Sequence, residues 1–170
     1  IEPSAGCGNF LDHLPSNTIA IDLDPRDPRI QQADYVSWTG PTPGKHLVVG
    51  NPPFGKNSTL AVKFFNKSAT FADTIAFILP RTFRKQSVIN RLNQNFHLQY
   101  EFVLPIDSFE TPEGHSCSVP TCFQIWQRRD EPRSKDKARS TTHPHWSWVK
   151  DAKTATHAIR RVGVQAGKLI

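Results

Sequence analysis

The feature that most restricts the fold of this chain is the apolar run "HLVVGN" at residues 46–51, which continues directly into "PPFGK" at residues 52–56. A continuous apolar run of this length is typical of a strand buried on both faces of a sheet. Neither Pro52 nor Pro53 has a backbone N–H, so the strand cannot continue its ladder beyond Asn51. A hydrophobic core has no need of such a rigid loop. The sequence therefore predicts a buried strand that ends in a loop built to contact something else.

Further apolar runs alternate with helix-like segments as far as residue 127. Strand-like patterns cover residues 18–22, 33–38, 46–51, 74–80, 98–104 and 121–127, and helix-like patterns cover residues 59–71 and 84–96. This alternation predicts an α/β fold with a Rossmann-like, mostly parallel sheet and helices on both faces. The last two strands lack a helix between them, so we expect an antiparallel hairpin at one edge. The opening residues "IEPSAGCG" resemble the end of a first strand, and we expect that strand to be truncated and the chain to be a fragment.

The composition changes after Gln127, where "RRDEPRSKDKARSTTHPH" contains almost no apolar residues. We expect a folded domain at residues 1–127, a basic flexible linker at 128–145 and a basic C-terminal extension at 146–170, which could add strands. Residues 128–170 hold 11 Lys and Arg against 4 Asp and Glu, whereas the whole chain has a net charge of +6. This concentration of positive charge fits contact with a polyanion such as nucleic acid, and it fits a solvated tail equally well.

The remaining composition restricts the compartment and excludes two classes of protein. The three cysteines form no CxxC pair, which indicates reduced thiols in a cytoplasmic protein, or a nuclear one in a eukaryote. The chain has no apolar run long enough for a membrane span and no visible signal peptide. The spacing of its histidines and cysteines matches no standard zinc pattern, so we expect no metal. Nothing in the sequence predicts an oligomeric state.

Two stretches near the start of the chain carry features of a ligand site. In "EPSAGCGNF" (residues 2–10), a glycine-rich turn after a strand allows the backbone to approach a ligand closely. Asp22 ends the second strand, where a carboxylate can accept hydrogen bonds from both hydroxyls of a ribose. It could instead be a surface or capping residue. Asp34 could accept from the exocyclic amine of an adenine, although taken alone it is more often a plain loop acid.

The loop "NPPF" at residues 51–54 offers two hydrogen-bond acceptors and a ring. The prolines hold the Asn51 side chain and the Pro52 carbonyl in place, and both oxygens can accept from one planar –NH2 group. Phe54 can stack on a flat group, a contact that contributes about 1–3 kcal/mol per base. The alternative is a rigid turn with a phenylalanine that belongs to the core.

In this order, "EPSAGCGNF", "AIDLDP", "ADYV" and "NPPF" resemble the class I S-adenosylmethionine-dependent methyltransferases that modify amino nitrogens, and the N6-adenine branch in particular. The resemblance covers roughly residues 1–127. It implies S-adenosyl-L-methionine as the cofactor, with Asp22 at its ribose and Asp34 at its adenine amine. The residues implied to line the methionine moiety are Glu2, Ser4, Gly6 and Gly8. Those implied to grip the target amine are Asn51, Pro52, Pro53 and Phe54, with Asn51 also beside the cofactor.

The resemblance therefore implies transfer of a methyl group to the N6 amine of adenine in DNA or RNA. One alternative is methylation of glutamine side chains in proteins, because NPPY-type loops also serve that reaction. Another is a catalytically silent methyltransferase-like subunit that binds nucleic acid. Four cations follow the strands that end near the NPPF loop and could contact substrate phosphates, or could be ordinary solvated residues at helix starts: Lys56, Arg81, Arg84 and Lys85.

Overall fold

The computed structural model describes residues 1–110, 115–135, 144–149, 151–159 and 168–169. The chain divides into two compact units, Ile1–Asp136 and Lys137–Ile170. The second unit contains a short 3-10 helix at Ala152–Thr154 and an isolated bridge between Ile159 and Leu169. Residues 136–143 of the linker predicted at 128–145, and residues 150, 160–167 and 170 of the extension predicted at 146–170, lie outside the described residues.

The first unit begins with three short parallel strands, β1 (Glu2–Pro3), β2 (Ala20–Asp22) and β3 (Gln31–Gln32). The strand expected at 33–38 is wrong, because the chain turns there. The Asp34 carbonyl accepts from the N–H groups of Ser37 and Trp38, at 3.1 and 2.9 Å, so these groups are not available to a ladder. The apolar residues of this segment fill the core instead: Tyr35 is buried, and its ring stacks on Trp38.

The remaining elements of this unit follow in chain order. They are β4 (Leu47–Gly50), a 3-10 helix at Lys56–Ser58, α1 (Thr59–Ser68), β5 (Thr74–Pro80), a 3-10 helix at Arg81–Arg84, α2 (Gln86–Ile89), β6 (Phe96–Val103), β7 (Phe109–Glu110), β8 (Ser116–Cys117) and β9 (Thr121–Arg128). The helix expected at 84–96 is much shorter, because an asparagine-rich turn intervenes. The Asn66 side chain accepts from Asn93 N at 2.8 Å, and the Asn93 side chain accepts from Asn95 N at 3.0 Å.

The larger sheet has the order β4-β5-β9-β6, in which β4 and β5 are parallel and β9 is antiparallel to both neighbours. The antiparallel pair expected from the last two strands is confirmed, with β9 inserted beside β5. Ile1 joins this sheet to β1, since Ile1 N donates to Leu47 O at 2.8 Å and Val49 N donates to Ile1 O at 2.9 Å. The combined order is β3-β2-β1-β4-β5-β9-β6, and of these described strands β9 alone runs in the opposite direction.

The core lies mainly between this sheet and the two α-helices. Phe65 of α1 packs edge-on against Trp126 of β9, with ring centroids 5.4 Å apart, and the same cluster contains Phe77 and Val88. Successive residues of a strand point to opposite faces. Ile21 belongs to this main cluster, so Ala20 faces the other side. There it packs with Ala5, Ile30 and Leu11 of a 3-10 turn (Leu11–His13). Both described α-helices therefore cover one face, and a shorter element covers the other at β1 and β2.

The sheet order determines where a site can form. Because β1, β2, β4 and β5 run in the same direction, their carboxyl ends lie along one edge. In open α/β sheets ligands bind outside this edge. The glycine-rich turn, Asp22 and the NPPF loop follow these strands directly, so the fold brings them together.

Candidate active site

The turn after β1 takes left-handed backbone conformations at Ser4, Gly6 and Gly8, with φ of 57°, 56° and 78°. It closes with a 2.8 Å hydrogen bond from Gly8 N to Ala5 O. A Cβ atom placed on Gly6 would meet nothing within 4 Å. Open space therefore lies directly over the backbone at Gly6, and a ligand can approach the main chain there.

Asp22 holds this turn through its carboxylate. Its Oδ2 accepts from Gly6 N at 2.8 Å, and its Oδ1 accepts from Asp24 N at 2.9 Å. The residue is half-buried. Each carboxylate oxygen has more than one lone pair, so Asp22 can still accept from hydroxyl groups while it holds the backbone. The structure thus brings the predicted acid and the predicted turn into direct contact.

Glu2 lies in β1 with only 3% of its surface exposed, and its Oε2 has no hydrogen-bond partner. Burial raises its pKa from the ordinary 4.5 to about 7. The N-terminal ammonium opposes this shift and the Asp22 carboxylate adds to it. A buried, unsatisfied carboxyl oxygen costs free energy, and this oxygen is free to accept a hydrogen bond from a ligand.

We expect the Glu2→Gln variant to be more stable than the wild type at pH 8, by about 2–3 kcal/mol, and nearly equal to it below pH 4.5. A raised pKa means that the native protein keeps a proton that the unfolded chain releases between pH 4.5 and about 7, so the wild type loses stability across this range. Urea unfolding at several pH values measures the effect. Glu131→Gln, at an exposed site, is the control. Equal pH dependence in all three proteins would contradict the expectation.

The NPPF loop presents hydrogen-bond acceptors that no described residue uses. Asn51 is exposed, and none of the described residues hydrogen-bonds to its side chain or to the Pro52 carbonyl. Pro52 is buried and Pro53 is exposed. Phe54 is half-buried against the main core, and its carbonyl accepts from Leu60 N and Ala61 N at 3.2 and 3.3 Å, where α1 begins. Phe54 thus contributes to the core as well as to the loop.

The segment after Phe54 is strained and tightly held. Asn57 and Ser58 take positive φ values of 53° and 59°, which L residues rarely adopt. The Ser58 hydroxyl lies 2.5 Å from the Thr82 hydroxyl, and Arg91 donates to Asn57 O at 3.1 Å. With Ser4, these are the positive-φ residues other than glycine in the described part of the chain, and all three lie in the loops that end β1 and β4. Strain of this kind is often concentrated at functional sites.

Gly55→Ala is expected to lower the free energy of unfolding by about 2–4 kcal/mol. Gly55 has φ 67°, and an added Cβ would lie 2.8 Å from the Cβ of Leu60, so the first turn of α1 would have to shift. Thermal or urea unfolding measures the loss. Gly44→Ala is the matched control, because a Cβ there meets only the His46 ring, at 3.6 Å. If both variants are equally stable, the described geometry of the loop is wrong.

The remaining predicted residues follow strands that end at the same edge. They differ in their exposure and in the partners that hold their side chains. Asp34 is exposed after β3, and its Oδ1 accepts from Val36 N at 3.0 Å. Lys56 and Lys85 are exposed. Arg84 forms a 2.9 Å ion pair with Glu101. Arg81 is half-buried, donates weakly to Leu104 O at 3.4 Å and has a buried Nε without a partner.

Sequence reasoning did not identify the residues that brace the NPPF loop. Ser58 and Thr82 are 24 residues apart, and Arg91 is 34 residues from Asn57, so no local pattern links them. Within the described residues, no group of three or more His, Cys, Asp or Glu side chains is placed to hold a metal ion. Nor does the described part of the chain contain a helix long and apolar enough to cross a membrane.

No family model matches this chain, and no curated protein matches it. Ten chains of solved structures match it, and three of these follow. PH1948 from Pyrococcus horikoshii, a proposed RNA methyltransferase, is 14% identical with a TM-score of 0.56, over 78% of this chain and 73% of that one. The 23S rRNA methyltransferase ErmE is 17% identical with a TM-score of 0.54, over 79% of this chain and 63% of ErmE. Thermoplasma acidophilum 1320 is 13% identical with a TM-score of 0.50, over 76% of this chain and 77% of that one. At these identities the likeness shows the fold, and it confirms the predicted α/β class with a mostly parallel sheet.

Proposed function

We propose that this chain is an S-adenosylmethionine-dependent methyltransferase that acts on the N6 amine of adenine in RNA or DNA. The observation that carries the proposal is the pair of acceptors at the end of β4. The Asn51 side chain and the Pro52 carbonyl have no partner among the described residues, and they follow a strand adjacent to the one that carries the glycine turn. Unused acceptors at a rigid loop suit a ligand that brings two N–H donors.

The residues at the turn fit the proposed cofactor. The buried Oε2 of Glu2 lacks a donor, and the space over Gly6 is open. Asp22 is the last residue of β2 and accepts from Gly6 N of the turn, and a ribose could donate to it there. Accordingly the methionine part would be held at Glu2, Gly6 and Gly8, with Ser4 in the same turn, the ribose at Asp22 and the adenine amine at Asp34. When bound, S-adenosylmethionine supplies a methyl group on a positively charged sulfur.

The proposed role of the chain is then to position and polarise the acceptor amine. The lone pair of an aryl amine is delocalised into its ring, which makes the nitrogen a weak nucleophile. Hydrogen bonds from its two N–H groups to Asn51 and Pro52 favour a pyramidal nitrogen, and they strengthen as positive charge develops there. Phe54 would stack on the base through its exposed part, with Pro53 keeping the loop rigid. A base paired in a duplex would have to be flipped out to reach this position.

Two observations support nucleic acid as the substrate. PH1948 and ErmE are described as acting on RNA, and the exposed Lys56 and Lys85 follow β4 and β5 along the chain, where they could bind phosphates. Arg84 is already paired with Glu101 and is a weaker candidate, as is the half-buried Arg81. These cations favour nucleic acid over the glutamine side chains of proteins.

Calorimetric titration with S-adenosylmethionine tests the cofactor part of the proposal. We expect saturable binding at one site per chain, and competition by the demethylated product S-adenosylhomocysteine. A silent methyltransferase-like subunit would bind nucleic acid without binding the cofactor. If the protein melts cooperatively but does not bind the cofactor, the proposed enzyme activity is rejected in favour of a silent methyltransferase-like subunit.

A further inference from the structure

The ends of β1 and β4 are in main-chain contact. A Cβ atom on Gly50 would lie 3.2 Å from the Pro3 carbonyl oxygen and 3.5 Å from Pro3 Cδ, so only a glycine allows this approach without a shift. One step further along both strands, the Ser4 hydroxyl lies 2.5 Å from Pro3 O and 3.2 Å from Asn51 O. A serine hydroxyl has one hydrogen, which these two carbonyl oxygens share, and its contact with Asn51 O links the glycine-rich turn to the NPPF loop.

The bridge matters because the NPPF loop has few other hydrogen bonds to fix its peptide groups. Pro52 has no N–H, so the Asn51–Pro52 peptide can be held only through the Asn51 carbonyl. Among the described residues, Ser4 is the one donor to that carbonyl. The orientation of this peptide determines where the Asn51 side chain and the Pro52 carbonyl point.

The backbone at Ser4 supports a role for the hydroxyl itself. Ser4 has a positive φ of 57°, and the glycines of the same turn, Gly6 and Gly8, have positive φ values of 56° and 78°. Glycine adopts this conformation without the steric penalty that a Cβ brings, so glycine would suit the backbone of position 4 better than serine. What serine adds at this position is the hydroxyl that reaches Asn51.

We infer that Ser4 is a positioning residue that orients the target-amine acceptors relative to the cofactor turn. This inference rests on the proposed function, and it assigns Ser4 a different task from lining the methionine moiety. A residue that fixes the orientation of acceptors acts on the transfer step, whereas a residue that lines the cofactor acts on its affinity. The two roles therefore predict different kinetic effects.

The test compares Ser4→Gly and Ser4→Ala with the wild type, using Ser16→Gly at an exposed serine as the control. We expect kcat to fall about 10- to 100-fold in both Ser4 variants, since misplacement of about 1 Å can cost that much. The affinity for S-adenosylmethionine should stay within about threefold of the wild type. Ser4→Gly relieves the backbone strain, so a loss shared with Ser4→Ala is due to the hydroxyl.

A second readout does not depend on activity. The NMR order parameter of the Asn51 carbonyl carbon, which belongs to the Asn51–Pro52 peptide, should fall from a rigid value of about 0.85 to below about 0.7 in Ser4→Gly, and should be unchanged in Ser16→Gly. Wild-type turnover in Ser4→Gly, or a loss confined to cofactor affinity, would overturn the inference. If the wild type itself transfers no methyl group, the proposed function fails. The order parameter then still decides whether Ser4 holds the loop, and an unchanged value rejects that role.

Discussion

Replacement of Asn51 by alanine should lower turnover about 10²- to 10³-fold while the affinity for S-adenosylmethionine stays within about threefold. The Asn51 side chain is exposed and has no hydrogen-bond partner among the described residues, so its removal should cost little stability. In the proposed mechanism its carbonyl oxygen accepts a hydrogen bond that strengthens in the transition state. The loss should therefore appear in kcat and only weakly in binding.

Single-turnover kinetics and calorimetry measure the two effects separately. Asn17→Ala, an exposed asparagine in the segment before β2, is the matched control and should behave as the wild type. Two outcomes would contradict the account of Asn51. If Asn51→Ala unfolds the protein, the loop is structural. If turnover is unchanged in a folded variant, the target amine is held elsewhere.

Asp22→Ala should weaken binding of S-adenosylmethionine about 100-fold and lower the free energy of unfolding by about 1–3 kcal/mol. The cofactor would lose the acceptor proposed for its ribose hydroxyls. The protein would also lose the carboxylate that accepts from Gly6 N at 2.8 Å and from Asp24 N at 2.9 Å, so the glycine turn would be less well ordered.

Asp24→Ala is the control for Asp22. Asp24 is exposed, and only its backbone N–H contacts Asp22, so its side chain should be dispensable for both properties. Titration calorimetry and urea unfolding of the two variants give the comparison. Equal cofactor affinity in Asp22→Ala and Asp24→Ala would show that Asp22 only holds the turn and does not bind the ribose.

The sequence was sufficient to predict the elements whose patterns are continuous and local. The run at 46–51 became β4, and the run at 74–80 became β5. Because parallel strands end at one edge, the positions of Asp22 and Asn51 along the chain already implied that they lie at that edge. The segment at 33–38 has the composition of a strand, but hydrogen bonds to the Asp34 carbonyl turn it instead.

Properties that depend on tertiary packing could not be read from the sequence. The burial of Glu2 and its raised pKa arise from the packing of β1 within the sheet. The contact between Ser58 and Thr82 joins residues from different elements. The sequence left open whether Phe54 is a stacking ring of the loop or a phenylalanine of the core. In the structure it packs against the core and also belongs to the loop.

The proposed methylation of adenine N6 is tested by transfer of a labelled methyl group from S-adenosylmethionine to pools of RNA, DNA and protein, followed by hydrolysis and identification of the methylated product. We expect label in nucleic acid, recovered as N6-methylated adenine, and its loss with Asn51→Ala. Label recovered only in protein, or on a nucleic-acid atom other than an exocyclic amine, would contradict the proposed role of the Asn51 and Pro52 acceptors at adenine N6.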